Sequence, residues 1–255
     1  MHYGWTGLYR LSVTLGLHDL IRHGPTREGA IRIAIPLDPS RYLELPWAEQ
    51  ALAARPGERV LDLASPKLLA VALARAGVEV VSVDALPLEV ERWRRLAPEV
   101  RFEVADGRAL PFEDGSFGRA YSISVVEHIP EGGDEQALRE LARVVEPGGR
   151  ILLTVPYADA YREDWRDRPV YGSAGAAERY FFERWYDGAR LDRLVSSAPV
   201  REVSRELVRT EPNWSRRYNT SFPWLLPLGP VFGLLGREVR GPGGDIARLV
   251  LEASG

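Results

Sequence analysis

Between residues 58 and 155, short aliphatic and β-branched runs alternate with stretches whose apolar positions recur at helical spacing. The runs 58–64, 78–84, 100–107, 118–126 and 149–155 read as five strands, each short and rich in Val, Ile or Leu. After the first run, Ser65 and Pro66 mark a helix start, serine as cap and proline as the first helical residue. That helix is expected through 68–76, with a stop at Gly77. Further helices are expected over 85–98, stopped by Pro98, and over 134–145, closed by the Pro/Gly turn at 146–149. Residues 110–117 form a turn-rich link. Such alternation builds a parallel, doubly wound sheet, in which ligands bind outside the carboxyl ends of the strands. Asp62, Asp84 and Asp106 fall at or near those ends.

The flanks are less regular. Leu8, Leu11, Leu15 and Leu20 predict one amphipathic helix over 7–21, ended at Gly24 and Pro25. An irregular approach over 35–47 then leads to a helix at about 47–54. Beyond Tyr157 lies an arginine- and aromatic-rich insert, 161–186, read as a substrate lid or as plain aromatic packing. A helix at 188–197 and two closing strands, 200–208 and 246–251, follow. No internal repeat or second domain is visible. The division expected is a helical prefix over 1–57, a ligand-binding core over 58–157, and a substrate-side insert with the final strands over 158–255.

Composition narrows the function. The chain has 255 residues, 45% hydrophobic and 27% charged, with a net charge of -3. It reads as a globular protein with no surface suited to nucleic acid. With no cysteine, disulfides, cysteine-bound zinc and thiol catalysis are excluded. The four histidines, His2, His18, His23 and His128, show no metal-ligand spacing, so no metal is expected. The N-terminal stretch lacks a secretion-signal pattern and no 18-residue apolar run exists, so a cytoplasmic location is expected. All the basic side chains but one are arginine, and the exception is Lys67.

Five segments carry a resemblance: VLDLA at 60–64, VSVD at 81–84, ADGRALPFEDGSF at 105–117, SVVEHI at 124–129 and LRELARVVEPGGRIL at 138–152. Together they resemble the class I methyltransferases that use S-adenosylmethionine, in particular the small-molecule group related to quinone-biosynthesis enzymes (methyltransferase type 11-like). The resemblance spans roughly 58–156. It implies a Rossmann-like α/β fold with a mainly parallel seven-stranded sheet, its last pair antiparallel. The chain departs from the family in one place. The turn after strand one, residues 62–67, has no glycine, where the family has several to let backbone approach the cofactor.

The resemblance also implies roles. Asp84 accepts from the ribose hydroxyls, with Ala85 and Leu86 beside it. Asp106 accepts from the adenine amino group, with the Gly107 and Arg108 backbone nearby. Asp62 orients the first loop or meets the cofactor's ammonium. Leu86 and Val125 flank the adenine, and Ser124 completes that wall. In the first loop, Ala64 permits close approach if its φ is negative, Ser65 supplies a hydroxyl, and the helix start supplies free N–H groups. Two readings of Lys67 are open: it pairs with the cofactor's carboxylate, or it is a solvated residue at a helix start. Glu127 and His128 are the candidate acid/base pair, and Tyr157 a candidate hydrogen-bond partner of the substrate.

The leading expectation is methyl transfer to a small-molecule or lipid-linked acceptor. The alternative is a binding or scaffold protein that kept the fold and lost turnover. A nicotinamide oxidoreductase is disfavoured by the missing glycine fingerprint. The apolar run 222–235 is broken by Pro223, Pro227 and Pro230 and flanked by Arg216, Arg217, Arg237 and Arg240. It reads either as a peripheral membrane contact toward a lipid-linked substrate or as a capping loop or dimer contact.

Overall fold

The computed structural model describes residues 3–34, 36–37, 41–170, 178–211 and 237–254. The run 222–235, with Arg216 and Arg217, lies outside these residues, as does the middle of the insert, 171–177.

Three helices precede the sheet: α1 (Gly4–His23), α2 (Arg27–Ala34) and α3 (Arg41–Leu52). α1 buries the expected stripe of Leu8, Leu11 and Leu15. α2 was not expected. Gly29 is its one buried residue. What starts it is Thr26, whose Oγ1 accepts the Gly29 N–H at 3.0 Å. α3 begins at Arg41 rather than at 47 and holds Pro46 inside it. Glu44, Leu45, Ala48 and Leu52 of the same helix are fully buried. That packing outweighs the backbone hydrogen bond Pro46 forfeits.

The sheet region follows the expected alternation: β1 (Arg59–Leu63), α4 (Leu68–Arg75), β2 (Glu79–Asp84), α5 (Pro87–Leu96), β3 (Arg101–Val104), β4 (Phe117–Ile123), a 3-10 turn (Val126–His128), α6 (Gly133–Val144) and β5 (Val145–Pro156). Next come β6 (Arg162–Arg166), β7 (Tyr180–Trp185), α7 (Gly188–Ser196), β8 (Val200–Glu211), β9 (Arg237–Arg240) and β10 (Ile246–Ala253).

The main sheet runs in the order β3-β2-β1-β4-β5-β10-β8-β9. Its first five strands pair in parallel. β10 inserts antiparallel between β5 and β8, as expected of the last pair. The described residues give this sheet 8 strands rather than seven, because β9 adds antiparallel along the edge of β8. The insert is also more regular than expected: β6 and β7 form a separate antiparallel pair. A further correction concerns the start of α4. Lys67, not Ser65, is its N-cap, and no side chain caps it.

Alternation along the strands sends side chains into two layers. Val60, Val80, Tyr121, Ile123 and Leu152 pack beneath α1, α3, α4 and α5. Leu61, Leu63, Val83, Ile151 and Leu153 pack against α6 and α7. The strand order reverses between β1 and β4, whose C-terminal ends open toward the prefix helices.

Candidate functional site

Four loops at the C-terminal ends of β1 to β4 surround one cavity of about 730 Å³, within the size range of small-molecule sites. The loop after β1 brings Ala64, Ser65 and Lys67 to it, and the loop after β2 brings Asp84, Ala85 and Leu86. The loop after β3 contributes Asp106, Gly107 and Arg108. The loop after β4 contributes Ser124, Val125 and His128.

The glycine-free first loop keeps a glycine-like path. Ala64 has φ +52°, the left-handed conformation, so the negative φ that was the condition for its close approach is not met. Its N–H donates to Val83 O at 2.8 Å, tying the loop to β2. Asp62 lies beneath the cavity floor, fully buried. It accepts from the Ser65 N–H at 3.1 Å and the Ser82 hydroxyl at 2.6 Å. Burial raises the Asp62 carboxyl above its usual range, opposed by the Lys67 charge and these hydrogen bonds. The Ser65 hydroxyl is used internally, accepting from the Ile123 N–H at 2.9 Å.

Lys67 is not the solvated helix-start residue of its second sequence reading. Its side chain is only 5% exposed, and Nζ stands 3.2 Å from Asp84 Oδ2 and 3.6 Å from Asp62 Oδ2. No hydrogen bond of good geometry satisfies that ammonium. The other Asp84 oxygen accepts the Leu86 N–H at 3.0 Å. Asp106 is half-exposed and gripped by Arg108, whose Nη2 donates at 2.7 Å to Oδ2. These hydrogen bonds hold the Asp106 carboxyl below its usual value. A Cβ at Gly107 would come within 2.9 Å of Leu63 Cδ1, so a larger residue there would need Leu63 to shift.

At the end of β4, Ser124 also has a positive φ of +52°, and its hydroxyl donates to Glu44 Oε1 at 2.8 Å. His128 Nδ1 is 2.7 Å from the Phe182 carbonyl of β7. Nδ1 must therefore carry the proton, which leaves a lone pair on Nε2. Burial pushes the His128 imidazole below its usual value, and the nearby charges of Arg41 and Arg184 act in the same direction.

Besides Asp62, two predicted residues do not line the cavity. Glu127 is buried behind it, Oε1 lying 3.8 Å from His128 Nε2, too far for a hydrogen bond. Burial raises its carboxyl well above the usual range, and the charge of Glu44 adds to the effect. Tyr157 faces a separate cleft with Arg205 and Gly241. The structure does not bring it to His128.

The prefix supplies a wall that the sequence reading missed. Arg32, Leu37, Arg41 and Leu45 line the cavity opposite the strand ends. Arg32 stacks 4.2 Å above the Trp93 ring of α5, and Arg41 pairs with Glu44 at 2.5 Å. The available signals were the Thr26 cap and a glutamate within the mostly apolar run around Leu45; neither identifies a ligand wall by itself. Among the described residues no group of three or more His, Asp or Glu is arranged to hold a metal.

The residues fit an adenosyl ligand. Two carboxylates stand at successive strand ends, Leu86 and Val125 supply apolar walls, and the first loop adopts the path glycine would take. The addition peculiar to this site is the Lys67 cation.

Residues 61–153 match the family model described as a methyltransferase domain. Over 116 residues the chain is 40% identical to a demethylmenaquinone methyltransferase of Beutenbergia cavernae, covering 42% of this chain and 46% of that one. Over 86 residues it is 34% identical to the chloroplastic tocopherol O-methyltransferase of Arabidopsis thaliana, covering 31% of this chain and 24% of that one. The chain spans half or less of the length of these curated relatives. A solved structure of a Pyrococcus horikoshii protein superposes with a TM-score of 0.56 at 18% identity, covering 92% of this chain and 96% of that one. At that identity the likeness is one of fold.

Proposed function

We propose that the protein, whose residues 61–153 match a methyltransferase domain, transfers a methyl group from S-adenosylmethionine to a small-molecule acceptor. The observation that carries this reading is the convergence of Asp84, Asp106 and His128 on one cavity from three successive strand ends. Asp84 receives the ribose hydroxyls, Asp106 and the neighbouring backbone receive the adenine edge, and Leu86 and Val125 flank its faces.

S-adenosylmethionine supplies an electrophilic methyl on a sulfonium, ready for in-line displacement. The chain's part is mainly alignment of the acceptor, which can itself provide a large share of the rate. His128 adds a base. With Nδ1 held by the Phe182 carbonyl, the Nε2 lone pair takes the proton of an acceptor hydroxyl as its oxygen bonds to the methyl carbon.

Relatives named for demethylmenaquinone and tocopherol favour a quinol- or phenol-like acceptor, free or lipid-linked. The scaffold alternative is less favoured, because the cavity keeps its carboxylates and its histidine. Among the described residues no helix is long and apolar enough to cross a membrane. Contact with a lipid surface through 222–235 belongs to the same proposal.

Calorimetric titration with S-adenosylmethionine and with its demethylated product tests the reading, followed by labelled-methyl transfer to a panel of phenols and quinols. Micromolar binding with transfer supports it. No binding at millimolar ligand overturns it.

A further inference from the structure

The turn that carries His128 is held from outside. Between β4 and α6 the chain forms one 3-10 turn, closed by the His128 N–H to Val125 O at 2.9 Å and the Ile129 N–H to Val126 O at 3.2 Å. Such a turn is a weak support by itself. It is flanked by left-handed residues, Ser124 on one side and Glu131 and Gly132 on the other. β7 grips it at two points. The Phe182 carbonyl meets His128 Nδ1. Arg184 follows two residues along, on the same face of the strand. Its Nη1 donates to Ile129 O at 2.8 Å and to Val126 O at 3.3 Å. Arg184 is 2% exposed, and Nη1 also stands 3.3 Å from Asp134 Oδ1 at the start of α6. The transfer chemistry has no other use for this buried cation.

We propose that Arg184 is a positioning residue for His128: it pins the turn's carbonyls to β7 and so keeps the imidazole on the Phe182 carbonyl, with Nδ1 the protonated nitrogen. This deepens the methyltransferase reading and rests on its use of His128 as the base. The tautomer of a histidine follows the hydrogen bond made by one of its ring nitrogens. Here that bond joins residues 54 positions apart, so it lasts only while the turn and β7 keep their distance. A guanidinium presents several donors in a fixed plane, which lets one side chain tie down two carbonyls beside a carboxylate. The restraint matters for catalysis, because a base displaced by about 1 Å can cost about 100-fold in rate. Through β7, the insert expected to act as a lid acts on the base.

The test reads the ring nitrogens of His128 by nitrogen-15 NMR in wild type, Arg184→Met and Arg184→Lys, without ligand and at a pH where the imidazole is neutral. His128→Gln identifies the signals, and thermal unfolding establishes that each variant is folded. In Arg184→Met, Asp134 keeps the Tyr186 hydroxyl and Arg190, so no buried carboxylate is left alone. Wild type should show a single tautomer, protonated at Nδ1. Arg184→Met should show the two nitrogens averaged by exchange between tautomers, with the affinity for S-adenosylmethionine unchanged by calorimetry. Arg184→Lys, which keeps the charge and a donor, should restore the Nδ1–H form. In labelled-methyl transfer, Arg184→Met should lose about 100-fold in kcat with little change in the KM for S-adenosylmethionine. A folded Arg184→Met protein with the wild-type tautomer and rate would overturn the proposal. A wild type protonated at Nε2 that still binds the cofactor would overturn it while leaving the cofactor reading intact. No binding of S-adenosylmethionine to wild type would overturn both the cofactor reading and the catalytic purpose of the clamp. An Arg184→Met variant that does not fold is replaced by Arg184→Gln, read against the same signals.

Discussion

Glu44 accepts a hydrogen bond of 2.6 Å from the Thr154 hydroxyl, 110 positions further along the chain. The same oxygen, Oε1, accepts from Ser124, while Oε2 accepts from Arg41. One fully buried carboxylate thus joins the prefix to the ends of β4 and β5 and holds the acceptor side of the cavity together. Removing it leaves a guanidinium and two hydroxyls without their acceptor. Breaking a buried pair by deleting one partner typically costs about 3–5 kcal/mol. Glu44→Ala should lose that much in urea unfolding. Glu44→Gln keeps one acceptor oxygen and should lose less. A Glu44→Ala protein as stable as wild type would show that the prefix does not depend on this residue.

The two non-glycine residues with left-handed backbone at the cavity should respond differently to glycine. Ala64 carries the conformational strain and makes no side-chain hydrogen bond there. Ala64→Gly is expected to stabilise the fold by about 1 kcal/mol, since glycine adopts this φ without a Cβ clash. Ser124 has the same φ, but its hydroxyl donates to buried Glu44. Ser124→Gly relieves the strain and loses that bond, so it should be neutral or destabilising. Denaturant midpoints of the two variants check the contrast.

The legible parts of the chain were those governed by short-range pattern. The β-branched runs located β1 to β5, and the strand ends put Asp84, Asp106 and His128 into one cavity as expected. What stayed hidden depends on distant partners. α2 is short, and Gly29 is its one buried residue. α3 runs through Pro46 because four of its neighbours in the helix are buried. Lys67 could not be resolved from sequence because its meaning lies in the gap between β1 and β2, where Asp62 and Asp84 meet it. Tyr157 looked well placed after β5, yet β10 and β8 carry it into another cleft.

Asp84 is assigned to the ribose, and the ion pair with Lys67 does not remove that role, since a carboxylate offers about four acceptor positions. Asp84→Ala should weaken S-adenosylmethionine at least about tenfold, or about 1.4 kcal/mol, by calorimetry. An unchanged affinity would remove the ribose assignment.

His128 is the proposed base, so His128→Ala should lower the transfer rate about 100-fold or more while leaving cofactor affinity nearly unchanged. Because burial depresses its pKa, the neutral form persists at pH values where a free histidine is half protonated. The rate of the wild type should therefore stay level through neutrality and fall only in acid, below the usual histidine range. A profile that rises steeply above neutrality would assign the base to another group.

Glu127 gives the clearest dependence of stability on pH. Its carboxyl is raised in the folded protein, first by burial and then by Glu44, whereas in the unfolded chain it ionises near the ordinary value of 4.5. Between that value and its folded pKa, the folded state holds a proton that the unfolded state has released. Stability then falls as pH rises, because it rises with pH only where the unfolded state binds more protons. Glutamine in this place is neutral at every pH and similar in shape. Glu127→Gln should therefore match wild type below about pH 4.5 and become the more stable of the two as pH rises toward neutrality. Urea midpoints of both proteins, measured from pH 4 to pH 8, provide the check. Curves that stay parallel over that range would mean that Glu127 is ionised in the fold, with a compensating cation beside it.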